Sequence, residues 1–357
     1  MPPLHVRGVV LPGNEERELY VVGDRITFDR IGGAETIIPG GWLVPGLVDV
    51  HTHPGAKEPG DPLDDVLLRR HGEEYRNSGV TLLRAPGAAG RLPRWFGEDI
   101  ELPRVYSAGP WLATADGFFA GWGRRVSLEE LPNAAVEEAT ASGGWCKIIA
   151  DWGRGEGPDR DYQPTVPEHV LCEVVRRVHA VGGRVAVHSQ HEAGCVAAVT
   201  ARADSLEHGM HLPMDLLGQM AAQGTVLVPT MVAFSTVPQR LRDRPSDSER
   251  WRRWLLSGFE RHPELVRCAN EAGVTVLAGT DGPPGHIADE VMWLVKSGIP
   301  AEDALGAASW MARSWLGLPG IAEGAPADIV CFDKDPREDA ETLRQPTRVI
   351  LRGRVVL

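Results

Sequence analysis

The stretch Pro45-Gly46-Leu47-Val48-Asp49-Val50-His51-Thr52-His53-Pro54 decides how the rest of the chain is read. An apolar run of strand character ends in His-x-His. Residues i and i+2 of a strand face the same side, so the two imidazoles project together. Neutral imidazole is a good ligand for zinc and similar ions. Taken alone, the pattern also fits two histidines bonded to backbone at a strand end, so its surroundings decide.

Outward from this stretch, strand-like and helix-like segments alternate. Apolar, β-branched runs fall at 43–53, 80–85, 104–108, 145–151, 184–188, 205–208, 225–229 and 274–280. Helical patterns lie between and after them, at 65–77, 129–141, 167–181, 192–203, 215–222, 248–271, 287–296 and 301–316. Several end in glycine (Gly79, Gly143, Gly182, Gly224, Gly273, Gly298), which suits the left-handed position after a helix. Near-continuous apolar strands alternating with helices indicate a parallel sheet covered on both faces. Eight such units have the size of a TIM barrel, a (β/α)₈ fold of roughly 250 residues. The ends do not alternate. They read as short strands with turns, and the expectation is one small β-sandwich built from 1–43 and 320–357, beside a barrel over 44–319.

The 357 residues carry 43% hydrophobic and 24% charged residues, as in ordinary soluble chains. A net charge of -12 argues against nucleic acid or an anionic membrane as partner, since either calls for a basic patch. No apolar run approaches a membrane span, and the N-terminus lacks the pattern of a signal peptide. The five cysteines are odd in number and form no CxxC pair, which fits a reducing cytoplasm and no thiolate metal site. A small-molecule substrate is expected, and a homo-oligomer stays open.

Three further strand ends carry metal-ligand types: Val185-Ala186-Val187-His188, Asp204-Ser205-Leu206-Glu207-His208 and Val276-Leu277-Ala278-Gly279-Thr280-Asp281. Such residues at the same end of strands one, five, six and eight are hard to obtain by chance, and that end of a barrel is its active-site mouth. Trp145-Cys146-Lys147-Ile148-Ile149 adds a lysine inside an apolar strand, in a chain with only three others, Lys57, Lys296 and Lys334. Burying an unpaired ammonium is costly, and burial beside other cations lowers a lysine pKa. A neutral amine can take up carbon dioxide as a carbamate able to bridge two metals. The alternative is an ion pair with Asp151 or Glu207.

The set His51, His53, Lys147, His188, His208 and Asp281, in that order, resembles the amidohydrolase superfamily in its binuclear form. The flanking text resembles it too, from Ser205-Leu206-Glu207-His208-Gly209 to the tail from Ile321 onward. The likeness spans essentially the whole chain and is greatest to the imidazolonepropionase-related group, with its Xaa-Pro dipeptidase-like enzymes and mycotoxin amidases. It implies two divalent ions, with zinc first among zinc, manganese, iron and cobalt. His51, His53 and Asp281 would hold one ion, His188 and His208 the other, with Lys147 carboxylated as the bridge. Two departures leave specificity open. Imidazolonepropionase lacks the bridging lysine. Where relatives read His-x-His after strand five, this chain reads His188-Ser189-Gln190-His191.

The expected reaction is hydrolysis of an amide C–N bond, with Asp281 taking a proton from water and passing it to the leaving amine. Gln190 and His191 are expected to face substrate. Trp111, Phe118, Phe119, Trp122, Tyr106 and Trp152 supply a candidate apolar wall, and Arg154 or Arg84 a partner for a carboxylate. His286 follows Asp281 closely. An N-acyl amino acid or dipeptide-like amide fits these residues. Two rivals remain: a mononuclear deaminase or cyclic-amide hydrolase using Glu192 or Glu207 as acid, and a non-catalytic metal-binding homologue.

Overall fold

The chain changes sheets at Gly46. Before it run β1 (Leu4–Val10), β2 (Glu15–Val22), β3 (Arg25–Thr27), β4 (Glu35–Ile38) and β5 (Trp42–Pro45); after it, β6 (Leu47–Asp49) begins another sheet beside β7 (Val80–Ala85). A Cβ on Gly46 would lie 2.0 Å from Oγ1 of Thr81 on β7, so glycine is what lets the two segments approach. The single strand expected over 43–53 is therefore two strands in two sheets. The computed structural model describes residues 2–357 apart from Pro59, Ala89, Asp116 and Glu156.

β6, β7 and β8 (Arg104–Ser107) pair in parallel. The chain beyond β8 bridges Ala88 at Pro110 and continues into β9 (Leu112–Ala113), which pairs with β10 (Arg124–Arg125) and β11 (Trp145–Ile149). β12 (Asp151–Arg154) and β13 (Asp161–Pro164) form a separate antiparallel pair. β14 (Arg184–Ser189), β15 (Ser205–His208) and β16 (Val226–Val228) extend the parallel order from β11. The segment expected as strand eight is irregular. Val276 bridges Leu227, the Leu277 N–H donates to Leu227 O at 3.0 Å, and the N–H groups of Val50 and Asp281 donate to Ala278 O at 3.0 Å and His51 O at 2.8 Å. Gly279 makes this contact possible, since a Cβ there would stand 2.5 Å from Cβ of His51.

Alternate strand residues face two cores. Val48, Leu82, Ala186, Val226, Val228 and Leu277 gather in one cluster. Leu47, Leu83, Val185, Val187 and Leu227 join the helices in a larger one. The helix Glu168–Ala180 shows why: Leu171, Val174, Val175 and Val178 follow the i, i+3, i+4, i+7 spacing of a single buried stripe. The architecture is a TIM-barrel-like α/β fold. The helix expected over 301–316 breaks in two at Ser309, whose hydroxyl donates to Pro45 O at 2.6 Å.

Both chain ends share one mixed sheet of eight strands, in which β17 (Ile329–Phe332) joins β5 to β18 (Arg348–Leu351) and β19 (Arg354–Val355). Its own core includes Val6, Leu19, Ile26, Leu43, Ile329 and Ile350. Among the described residues, strands from the two ends pair within this one sheet. Asp328 clasps this sheet to the barrel by accepting from Arg104 at 3.0 Å and from Arg313 at 3.3 Å. Among the described residues no helix is long and apolar enough to cross a membrane.

Candidate metal centre

The ends of β6, β11, β14 and β15 and the turn at Asp281 converge on one cleft of about 1020 Å³, lined by His51, His53, Lys147, His188, His208 and Asp281. His51 is fixed from behind: its Nδ1 lies 2.7 Å from Oε2 of Glu207. A buried carboxylate only accepts, so Nδ1 donates and Nε2 keeps its lone pair toward the cleft, 3.6 Å from Oδ1 of Asp281. His53 repeats the arrangement, with Nδ1 donating to Gly87 O at 2.8 Å and Nε2 3.2 Å from Oδ1 of Asp281. His51, His53 and Asp281 form a group whose ligand atoms all lie within 4.8 Å of one another. On the far side, His208 Nε2 is 2.8 Å from His188 Nδ1, His208 Nδ1 is 2.8 Å from Oγ1 of Thr230, and His188 Nε2 is 3.0 Å from the Tyr162 hydroxyl. The His188 and His208 ring centroids are 4.4 Å apart.

Lys147 stands in the same cleft, 1% exposed, and its Nζ has no hydrogen-bond partner among the described residues. Burial pushes its pKa down to about 8, with Glu207 and Asp281 opposing and Arg84 assisting. Burial, then the Lys147 charge, holds His51 and His188 well below the usual histidine range. Burial, then the neighbouring imidazoles, does the same for His208. These three rings are neutral at pH 7, as metal ligands require. Burial alone would raise the Asp281 carboxyl, but His51, His53 and Lys147 outweigh it and keep it below the usual carboxylate range.

The floor rests on buried polar supports. Glu207 accepts from Arg84 and Ser205, and the Arg84 guanidinium lies over the Trp145 and Trp315 rings at 4.8 and 5.1 Å. Asp49 accepts from the His51 N–H at 3.1 Å and from the Thr280 hydroxyl at 2.7 Å, joining the two segments that carry His51 and Asp281. Asp151 accepts from the N–H groups of Gln190 and His191 at 3.0 and 3.1 Å. His208, Thr230 and Asp281 all have positive φ, at 73°, 52° and 43°. This is uncommon for residues other than glycine and is concentrated at functional sites.

The residues expected to face substrate divide. Gln190, Trp111, Trp152 and His286 line the cleft, with Phe118, Phe119 and Trp122. Trp111 stacks on Trp122 at 4.9 Å and meets His53 edge-on at 4.8 Å. Four expectations need correction. Arg84 is locked under the floor by Glu207 and cannot reach a ligand. Arg154 lines a neighbouring cavity of about 790 Å³ behind Phe118 and Trp152. The His191 side chain accepts from the Ala193 N–H at 3.1 Å as the N-cap of the helix Glu192–Thr200 and is not among the cleft residues. Tyr106 packs in the inner strand cluster. Neither Asp151 nor Glu207 hydrogen-bonds Lys147, so the ion-pair alternative has no direct contact to support it. Sequence reasoning passed over Asp49, Thr230, Arg240 and Glu290. Asp49 and Glu290 carried the signal that singled out Lys147, a charge set among apolar neighbours.

The model of the "Amidohydrolase family" matches residues 42–356. An uncharacterised protein of Mycobacterium tuberculosis is 38% identical over 358 residues, covering 98% of this chain and 95% of its own. Ochratoxinase of Aspergillus niger is 28% identical over 296 residues, covering 78% of this chain and 58% of its own. Among solved structures, a Xaa-Pro dipeptidase with methionine bound in its active site superposes with a TM-score of 0.82 at 23% identity, covering 99% of both chains. The Aspergillus niger ochratoxinase structure gives 0.78 at 21% identity, covering 99% of this chain and 96% of its own.

Proposed function

The chain belongs to the amidohydrolase family, and on that premise we propose that it hydrolyses the amide bond of an N-acyl amino acid or dipeptide-like substrate at a centre of two divalent ions, zinc fitting the nitrogen and oxygen donors. The observation that carries this reading is the Lys147 amine, buried among four imidazoles and a carboxylate with no hydrogen-bond partner among the described residues. Burial disfavours an ammonium there, and Glu207 and Asp281 offset that only in part. As a free amine it adds carbon dioxide: the N–C bond forms, one proton leaves to solvent, and the product is an anionic carbamate. The donor set then fits two ions, one at His51, His53 and Asp281 and one at His188 and His208, with modified Lys147 between them.

Ions bound there would polarise the scissile carbonyl and acidify water. The protein's own residues do the rest. Glu207 and Gly87 hold His51 and His53 with Nε2 forward. Asp281, ionised and only partly covered, takes a proton from water and gives it to the leaving nitrogen. Gln190 and the aromatic wall orient the acyl group and exclude solvent. The reading extends to a closed eight-stranded barrel over 44–319, a small domain from 1–43 and 320–357, and a cytoplasmic site of action that suits five free thiols.

One observation favours a single ion: among the described residues the group of three or more ligand side chains gathered within 4.8 Å is His51, His53 and Asp281. Such a centre suits a mononuclear deaminase or cyclic-amide hydrolase. Metal analysis separates the two. Two ions per chain, falling to one or fewer in Lys147→Ala with loss of N-acyl amino acid hydrolysis, is the expected result. One ion per chain in both proteins, with activity kept in the variant, would overturn the binuclear reading.

A further inference from the structure

The cleft is lined by a basic group as well as by its aromatic wall. The helix Val237–Asp243 follows β16 and brings Arg240 to the cleft lining, with Val232, Phe234 and Thr236 nearby. The other basic groups on that side are engaged: Arg344 pairs with Asp289 and Glu341, and His286 pairs with Asp289. The Arg240 guanidinium makes no hydrogen bond or ion pair with any described residue, and Arg160 and Arg244 add positive charge around it. In a chain of net charge -12, an open guanidinium beside a candidate catalytic floor marks an anion's place.

We propose that Arg240 receives a carboxylate carried on the amine half of the scissile amide, so that the enzyme takes N-acyl amino acids with a free acid and discriminates against their carboxamides. This rests on the amide-hydrolase reading above. The direction follows from two placements. The leaving nitrogen has to lie where Asp281 can protonate it, and Asp281 lines the same cleft as Arg240. The acyl half is then left to the aromatic wall, where Phe118 and Trp152 stand 6.2 and 5.6 Å from His188, ring centroid to centroid. The planar guanidinium fork matches a carboxylate in two parallel hydrogen bonds. A lysine would supply the charge without that geometry.

The test compares N-benzoylglycine with N-benzoylglycinamide on the metal-loaded protein. Wild type should prefer the free acid by about 100-fold in kcat/KM. Arg240→Ala should bring the ratio to within about threefold of unity, and Arg240→Lys should restore part of it. Binding of both compounds to Asp281→Asn, followed by tryptophan fluorescence, should show the same preference and lose it when Arg240→Ala is added. A ratio and a binding preference unmoved by Arg240→Ala would overturn the proposal even if hydrolysis persists. Arg240-dependent binding of the acid by a protein that hydrolyses neither compound would uphold the carboxylate site and refute the hydrolase reading instead.

Discussion

At the floor of the cleft, three candidate ligands are held from behind: His51 by Glu207, His53 by Gly87, His208 by Thr230. At the rim, side chains lean on one another or on solvent. Trp111, Phe118, Phe119, Trp122 and Trp152 touch ring to ring, His286 leans on Asp289, and Arg240 has no hydrogen-bonded partner among the described residues. The floor is set by strand ends whose backbone is committed in the parallel sheets. The rim is set by loops, which vary and carry specificity. Chemistry should therefore depend steeply on single floor atoms and more gradually on the rim.

Four substitutions press on that contrast. Asp281→Asn keeps the shape and a donor oxygen but loses the base, and turnover should fall by about 10³-fold with metal content retained. Near-normal rates would move the proton transfer off the floor. Glu207→Gln leaves Arg84 buried without its counter-charge and frees the His51 ring. Unfolding in denaturant should show a loss of about 3 kcal/mol, with weaker metal binding as a second reading.

The rim should respond more mildly. Glu290 accepts from the N–H groups of Met231 and Val232 at 2.9 and 2.8 Å, fixing the loop after β16. Burial raises its pKa from 4.5 to about 8. Between those values the folded chain holds a proton that the unfolded chain has lost, so this group's contribution to stability is full below pH 4.5 and declines as pH rises through 8. The stability advantage of wild type over Glu290→Gln should shrink between pH 5 and pH 9, read as the difference in Tm. An advantage that grew over that range would refute the assignment. His191→Ala should be smallest, about 1 kcal/mol for a lost helix cap, with kcat/KM within twofold. A large loss of kcat/KM would return His191 to the substrate side.

The same division explains what the sequence disclosed. The floor was legible because strand ends announce themselves: an apolar run closing in histidine or aspartate places a side chain at a known height and face. Lys147 was legible because a charge in Trp-Cys-Lys-Ile-Ile conflicts with its neighbours. Residues that act through a contact distant in sequence were harder to place. Arg84 looked like a free cation until Glu207, 123 positions later, came under it. His191 looked like a ligand-facing imidazole, yet its ring turns back to cap the next helix. Gly46 was read as the interior of one strand, since nothing local reveals that Thr81 would collide with a side chain there. Strand eight was expected as regular, but Gly279 and the packing against His51 reduce it to isolated bridges.

The left-handed backbone at His208, Thr230 and Asp281 has a consequence for anyone altering this site. Replacing any of these by alanine removes a functional group yet keeps the steric penalty of a Cβ at positive φ, roughly 1 kcal/mol. Glycine removes the group and the penalty together. His208→Gly should therefore melt higher than His208→Ala although neither can hold an ion there, so heat resistance would be regained along that pair of variants with no return of metal binding.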